Sequence, residues 1–451
     1  MKRADIIPDE ETVIALIRKD QIDRNSDLVD FAGILKAIEG SFSIFLDAEW
    51  GSGKTIFVKQ LECLLSAANP QVESLSSAEE LLTNGSALAA FNELNSFLLV
   101  YYNAWENDHW DDPLPSIAAA IAASGNAACS FRSDTSTADA IFTSLDAVLQ
   151  LTGCGSIASL KENVLGKNLV ESYQNRETLR HTISNLVKTI LSERANTLLL
   201  IVDELDRCKP FFAMKVLEEL KDLFDSDQII ILYSINASQL SHVVEGLYGQ
   251  GFDGKQYLSR FYDLRVPLRY VEPANYLNAI GLPKSSNRFD AISSSMANAY
   301  AMSMRDANRF FTILAEARPQ AIGHRHGFGN DLVPAFANAA LVPVMLALKI
   351  AKPDTYSTII QHLDPIKLYD EFILCDEAVR FMDATWGEYK VPPEGESFSE
   401  EEKKAARIEL LEALLYEIWC TDYNNPKKQH AREAIGHSWE IEFLPHLASV
   451  I

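Results

Sequence analysis

The chain has 451 residues, of which 47% are hydrophobic and 10% aromatic. A chain of this length and composition can bury a large core, which excludes a disordered protein and predicts two to three domains. Its 63 acidic and 40 basic residues give a net charge of -23, which excludes non-specific coating of nucleic acid but leaves room for a local basic groove.

The cysteines and the apolar stretches indicate the compartment. The six cysteines lie far apart and form no C-x-x-C pair, which favours buried thiols in a reducing cytosol over disulfides or zinc. The first residues, 1–5, contain no apolar signal segment, and the longest apolar stretches, 117–131 and 333–350, are interrupted by polar residues. We therefore expect a cytoplasmic protein without a transmembrane segment.

The first part of the chain alternates predicted strands and helices. A helix over 28–38 precedes a strand over 42–46, and further helices are predicted over 55–65 and 211–224. Continuous apolar runs indicate strands that are covered on both faces, and their alternation with helices predicts an α/β fold with a five-stranded parallel sheet. The other four predicted strands cover 97–102, 197–202, 228–235 and 262–266.

The predicted strands define a first domain, 1–270, with a helical insertion at about 107–195. After residue 270 the pattern is helical, without a further convincing strand. This predicts a helical lid over 271–330 and a mostly α-helical C-terminal domain over 331–451. A Pro-Pro-Glu-Gly segment at 392–395 is typical of an exposed linker.

The segment Ala48-Glu49-Trp50-Gly51-Ser52-Gly53-Lys54-Thr55 directly follows the first predicted strand. In a phosphate-binding loop, successive backbone N–H groups converge on the phosphates, and a Cβ in place of glycine would block that approach. Lys54 can reach the terminal oxygens, and the hydroxyl of Thr55 can bind Mg2+. The order of strand, loop and helix disfavours the alternative, a glycine-rich turn without a ligand. The residues predicted to bind the nucleotide are Trp50, Gly51, Ser52, Gly53, Lys54, Thr55 and Ile56.

A second motif, Asp203-Glu204-Leu205-Asp206-Arg207, follows the predicted strand 197–202. An acid at the carboxyl end of a buried strand beside the phosphate-loop strand can anchor Mg2+, which assigns Asp203. Glu204 can aim at the water that attacks the γ-phosphate. The alternative is that the motif caps a helix at the surface, and Asp206 and Arg207 in particular can simply brace the loop.

Four other residues are weaker candidates. Asn236 follows the predicted strand 228–235, so it can hydrogen-bond the γ-phosphate or the attacking water, or equally N-cap the next helix. Arg260 and Arg305 are candidate cations for the charge of the transition state, although each by itself favours a structural role. Trp105 is expected to pack in the core rather than to stack on a base.

Four strings of residues occur together and in order: Trp50 to Thr55, Tyr102 to Glu106, Asp203 to Cys208 and Arg305 to Arg309. Together they resemble the motifs of KAP-family P-loop NTPases, over roughly residues 20–320. The resemblance implies an ASCE-type sheet, ATP with Mg2+, Asp203 as the Walker B acid, and an arginine such as Arg305 in a helical region after the sheet. Bacterial members of the family include phage-exclusion proteins, and others are membrane-associated signalling scaffolds.

The chain departs from the family pattern at two points. Members typically carry two aspartates where this chain has Asp203-Glu204, and glutamate is the commoner base in AAA-type relatives, which favours hydrolysis. Many members also carry membrane helices between the Walker motifs. The corresponding insertion here, about 107–195, resembles a soluble segment, so membrane anchoring is not expected.

The sequence therefore predicts a cytoplasmic ATPase whose nucleotide state switches an oligomer or a complex with a protein partner. Antiphage defence is a role implied by the resemblance alone. One alternative is a nucleotide-gated scaffold that turns ATP over slowly and uses its acidic C-terminal helices for docking. Another is a nucleic-acid-remodelling ATPase, which the net charge of -23 disfavours.

Overall fold

The structure is a computed structural model. It divides into two compact units, one over Ile7–Tyr270 and one that contains Val271–Ile451. The predicted separation of a lid from a C-terminal domain at residue 330 stays a prediction. Most of the predicted insertion and the 392–395 segment lie outside the described residues. The structure describes residues 9–83, 86–129, 195–223, 228–249, 251–273, 275, 287–322, 332–387 and 397–435, and most of 180–192.

A five-stranded parallel sheet forms the centre of the first unit, which confirms the predicted α/β fold. The strands lie in the order β2-β3-β4-β1-β5, and each recorded pair is parallel. The edge strand β5 begins two residues later than predicted. The strands are β1 (Phe42–Asp47), β2 (Phe97–Asn103), β3 (Thr197–Asp203), β4 (Ile229–Ile235) and β5 (Leu264–Pro267).

The central strands are buried on both faces, as their continuous apolar runs predict. All seven residues of β4 are buried. Alternate residues of β3 belong to two different core clusters, with Leu198 and Leu200 in one and Leu199 and Ile201 in the other. This is the period-2 alternation of a strand, with an apolar layer on each side of the sheet.

Helices supply the two layers that cover the sheet. Ile117, Leu217 and Val244 belong to the cluster on one face, and Phe31 and Leu61 belong to the cluster on the other. The helices predicted near 28–38, 55–65 and 211–224 are present with slightly different bounds. A further helical stretch lies within 180–192. The named helices of this unit are α1 (Glu10–Lys19), α2 (Asn25–Ala37), α3 (Lys54–Ala68), α4 (Ser76–Glu79), α5 (Leu114–Cys129), α6 (Pro210–Leu223), α7 (Ala237–Tyr248) and α8 (Gly254–Leu258).

Arg24, just before α2, is a buried cation that ties this helix to the loop after β1. Its side chain is 2% exposed, and it donates to Asp27 at 2.8 Å and to the carbonyl oxygen of Ser52 at 3.2 Å. Burial lowers the pKa of Arg24, and the neighbouring Asp27 opposes this effect. Asp27 also pairs with Arg269, which follows β5. These contacts fix the start of α2 against the loop.

The regular elements in the described part of the second unit are all helices, as predicted. Phe336 packs against Phe372 and Phe381, with ring centroids 5.7 and 5.5 Å apart. Its helices are α9 (Arg288–Ala299), α10 (Met304–Ile322), α11 (Leu332–Ala351), α12 (Pro353–His362), α13 (Pro365–Phe372), α14 (Asp376–Gly387), α15 (Glu400–Trp419) and α16 (Pro426–Ile435).

Helix α11 is the one helix in the described part of the chain that is long and apolar enough to cross a membrane. However, 78% of its most apolar window is buried inside the protein. It also contains a π-helical turn, Ala337–Leu341, shortly before Pro343, which has no backbone N–H to continue the α-helical pattern. These features are those of the core helix of a globular unit.

Four of the cysteines are free thiols in the described part of the chain. Cys63, Cys208 and Cys375 are buried, and Cys420 is half-buried. Burial raises the pKa of Cys63 to about 12 and also raises the pKa of Cys208. Thiols with raised pKa values form little thiolate near neutral pH, so Cys63 and Cys208 behave as packing residues.

Replacing Arg24 by alanine leaves Asp27 and the carbonyl oxygen of Ser52 without their buried donor. We expect the free energy of unfolding of the first unit to fall by about 3 kcal/mol, the lower end for a broken buried pair, because Arg269 still contacts Asp27. Urea unfolding, followed by circular dichroism, measures this loss. The matched control is Arg18→Ala, which breaks an exposed pair with Glu80 and should cost less than about 1 kcal/mol. Equal losses in the two variants would show that Arg24 is not a buried anchor.

Candidate functional site

A tight loop of residues 48–53 connects β1 to α3. Gly51 has a φ of 80° and Gly53 a φ of 88°, which lie in the left-handed region that favours glycine. Gly53 is the N-cap of α3, and no side chain caps this helix. The positive end of α3 therefore meets the loop without a protein carboxylate or hydroxyl on its cap, which fits the predicted phosphate-binding conformation.

Lys54, the first residue of α3, closes the loop on itself. Its Nζ donates to the carbonyl oxygens of Ala48 at 2.6 Å and Glu49 at 3.2 Å. Burial lowers the pKa of Lys54, while the carboxylates of Asp206, Asp203 and Asp47 act in the opposite direction. A phosphate in the loop would offer this ammonium group stronger acceptors than two carbonyl oxygens.

Thr55 and Asp203, which are 148 residues apart in sequence, meet at the carboxyl edge of the sheet. The hydroxyl of Thr55 donates to Oδ2 of Asp203 at 3.1 Å, and Asp203 is 1% exposed. The expectation that the strand of Asp203 lies beside the phosphate-loop strand is wrong, because β4 lies between β1 and β3. The contact still forms because all three strands are parallel and end at the same edge.

Tyr101 is a site residue that the sequence did not reveal. Its hydroxyl donates to the same Oδ2 of Asp203 at 3.1 Å, and the Nζ of Lys59 lies 3.8 Å from the centroid of its ring. Burial, with a further contribution from the charge of Asp203, raises the pKa of Tyr101, so its hydroxyl remains a donor. Only the pairing of β2 with β3 could indicate this contact, since it sets Tyr101 opposite Ile201 and near Asp203.

Glu204 lies directly after β3 in a strained conformation. Its φ is 61° and its ψ 24°, a left-handed geometry that costs a residue with a Cβ roughly 1–2 kcal/mol. Its backbone N–H donates to Oδ1 of Asp203 at 3.0 Å. Its carboxylate pairs with Nη1 of Arg207 at 2.7 Å. The candidate base is therefore part of an ion pair in this structure.

Asp206 and Arg207 hold two tryptophans at the site. The indole N–H of Trp50 donates to Asp206, and the guanidinium carbon of Arg207 lies 5.7 Å from the ring centroid of Trp105. Trp105 is 50% exposed, so the expectation that it packs in the core is wrong. A short turn, Trp105–Asn107, directs it outward after β2. Through these contacts, Asp206 and Arg207 brace the segments that carry Trp50 and Trp105.

The remaining candidate residues are Asn236, Arg260 and Arg305. Asn236 is the N-cap of α7, and its Oδ1 accepts the backbone N–H of Gln239 at 3.1 Å. Its predicted contact with phosphate or water stays a prediction. Arg260 is exposed, and its guanidinium carbon lies 5.8 Å from the ring centroid of Tyr257. Arg305 is exposed on α10 of the second unit, and its predicted role also stays a prediction.

The chemistry of these residues fits a nucleotide phosphate together with Mg2+. The hydroxyl oxygen of Ser52 is buried and has no hydrogen-bond partner among the described residues. Thr55 and Asp203 place two hard oxygen donors in contact, which suits Mg2+. Lys54 supplies a cation beside them, and Ile56 follows half-buried in the first turn of α3. The described residues contain no cluster of three or more His, Cys, Asp or Glu side chains that could hold a metal ion.

Comparison with known proteins gives one family assignment. The sequence matches the KAP family P-loop domain over residues 28–279, which is more than half of the chain. The matched region includes the loop after β1, the Asp203 motif and Asn236. No curated protein matches the sequence.

Replacing Tyr101 by phenylalanine removes one hydrogen bond to Asp203. We expect the Mg2+ concentration needed for half-maximal binding of a fluorescent ATP analogue to rise about tenfold, because losing a partner of a metal-binding carboxylate typically costs roughly 10–100-fold in metal affinity. The matched control is Tyr102→Phe, since the hydroxyl of Tyr102 pairs with Ser116 instead. This control should keep the Mg2+ dependence of the unmodified protein. If Tyr101→Phe also keeps it, the hydroxyl does not support a metal site.

Proposed function

This chain belongs to the KAP family of P-loop domain proteins, and we propose that it is an ATPase that binds Mg-ATP at residues 48–55. One observation carries the proposal. The hydroxyl of Thr55 and the buried carboxylate of Asp203 meet at 3.1 Å beside the ammonium group of Lys54. A hydroxyl, a carboxylate and a lysine at the N-terminus of a helix are the groups that a magnesium-bound triphosphate requires.

The proposed mechanism assigns one task to each group. The backbone N–H groups around Gly51 and Gly53 and the Ser52 hydroxyl bind the phosphates, and Lys54 exchanges its two carbonyl acceptors for phosphate oxygens. Thr55 and Asp203 would hold Mg2+, which would supply positive charge to neutralise the phosphates. Catalysis then consists of positioning and electrostatic stabilisation.

Glu204 is proposed to orient the attacking water and to accept its proton. It lies next to Asp203 at the carboxyl edge of the sheet. Its left-handed backbone conformation turns the chain away from the direction of β3. Asn236 is proposed to report on the γ-phosphate through its amide nitrogen, because its Oδ1 already caps α7. Arg260 and Arg305 remain the proposed cations for the transition state.

The biological part of the proposal is a switch. A cytoplasmic KAP-type ATPase would change its assembly or its protein partner with its nucleotide state, and antiphage defence is the role suggested by family analogy. A slowly hydrolysing, nucleotide-gated scaffold is the second candidate, because Glu204 is paired with Arg207 at 2.7 Å. The net charge of -23 gives a nucleic-acid-remodelling ATPase less support.

ATP hydrolysis by the purified protein and two variants tests the proposal. We expect Lys54→Ala to weaken ATP binding and to lower turnover at least about 100-fold, since it removes a charge that stabilises the transition state. We expect Glu204→Gln to keep ATP binding and to lose turnover by about 100-fold or more. Size-exclusion chromatography with ATP, with ADP and without nucleotide shows whether assembly follows the nucleotide.

Lys36→Ala is the matched control, because Lys36 is an exposed lysine that pairs with Glu93. Its turnover should equal that of the unmodified protein. Turnover that persists in Lys54→Ala would overturn the proposed site. Lys54-dependent binding with negligible turnover in the unmodified protein would favour the scaffold.

A further inference from the structure

We propose that Arg207 is a positioning residue that restrains Glu204, so that turnover stays low until the Glu204–Arg207 pair opens. The inference rests on the proposed ATPase function and concerns the regulation of that site. Its starting observation is the 2.7 Å contact between Nη1 of Arg207 and Oε1 of Glu204. The candidate base and its restraint thus lie in one five-residue motif.

Hydrogen bonds hold the backbone of Glu204, so its side chain is the part that can change direction. The N–H of Glu204 donates to Oδ1 of Asp203 at 3.0 Å, and its carbonyl oxygen accepts from the N–H of Arg207 at 3.1 Å. The backbone N–H and the backbone carbonyl of Glu204 are therefore both held by hydrogen bonds. The direction of the carboxylate depends on its side-chain torsions, and Arg207 holds it at one end.

The ion pair opposes the chemistry that Glu204 would perform. A general base needs a carboxylate oxygen within hydrogen-bond reach of the water that it deprotonates. Here the guanidinium of Arg207 contacts Oε1 and so holds the carboxylate toward Arg207. The Glu204 side chain is only 16% exposed, so little solvent screens the pair.

Arg207 is itself held from a second side. Its guanidinium carbon lies 5.7 Å from the ring centroid of Trp105, within the range of a cation–π contact. The backbone N–H of Trp105 donates to Oδ1 of Asn103 at 3.1 Å, and Asn103 pairs in register with Asp203. Because Trp105 is 50% exposed, a change at the surface can reach the pair through this ring.

Steady-state ATP hydrolysis at saturating Mg2+ tests the restraint. We expect Arg207→Ala to raise kcat at least about fivefold, with the KM for ATP unchanged within about twofold, because a released base acts on the chemical step. Arg207→Lys, which keeps the charge but lacks the planar fork, should give an intermediate kcat. Trp105→Ala changes no charge and should raise kcat by a smaller factor.

The matched control is Arg380→Ala in the second unit. Arg380 pairs with Glu377 at 2.7 Å with the same three-residue spacing, so removing it should leave kcat unchanged. The double variant Glu204→Gln/Arg207→Ala should be as inactive as Glu204→Gln. Circular dichroism of each variant checks that it is folded. If Arg207→Ala does not fold, Trp105→Ala serves as the second test of the restraint.

The outcomes separate the two proposals. If turnover depends on Lys54 but neither Arg207→Ala nor Trp105→Ala raises kcat, the restraint is wrong and the ATPase stands. A rise in kcat that survives Glu204→Gln also overturns the restraint. If turnover does not depend on Lys54, or if no variant hydrolyses ATP, both the restraint and the proposed hydrolysis fail.

Discussion

The site depends on the parallel alignment of β1, β4 and β3, which brings the ends of distant segments to one edge of the sheet. Asp47 shows how this edge is held together. Its Oδ1 accepts the backbone N–H of Ala237, after β4, at 2.7 Å, and its Oδ2 pairs with Arg265 of β5. One carboxylate therefore joins β1 to both neighbours. With these strands fixed, Thr55 meets Asp203 although β4 separates their strands.

The same edge of the sheet places three aspartates around Lys54, and each of them accepts a hydrogen bond from another side chain. Asp47 has Arg265, Asp203 has Thr55 and Tyr101, and Asp206 has Trp50. Buried carboxylates are costly without such partners, so these hydrogen bonds allow the negative charge to stay beside Lys54. That charge opposes the effect of burial on the Lys54 pKa and keeps a cation where a phosphate would bind.

The sequence predicted the parts of this site that local patterns determine. Apolar runs indicated the strands, and the glycines and Lys54 indicated the loop. Strand order was not predictable, because a strand covered on both faces shows the same apolar run whichever strand lies beside it. For the same reason the pattern could not distinguish Tyr101, which contacts Asp203, from Tyr102, which contacts Ser116. Burial was the wrong prediction for Trp105, because large aromatic side chains usually pack inside, whereas a turn after β2 exposes this one.

The five residues from Asp203 to Arg207 show how a short motif can connect the surface to the candidate site. Asp203 accepts hydrogen bonds from the hydroxyls of Thr55 and Tyr101. Glu204 turns the chain through a left-handed conformation, and Leu205 is fully buried and anchors the turn. Asp206 then reaches Trp50 and Arg207 reaches Trp105. Both tryptophans are substantially exposed. Each exposed ring is therefore one contact from a residue of the motif, so a change at either ring acts on the motif directly.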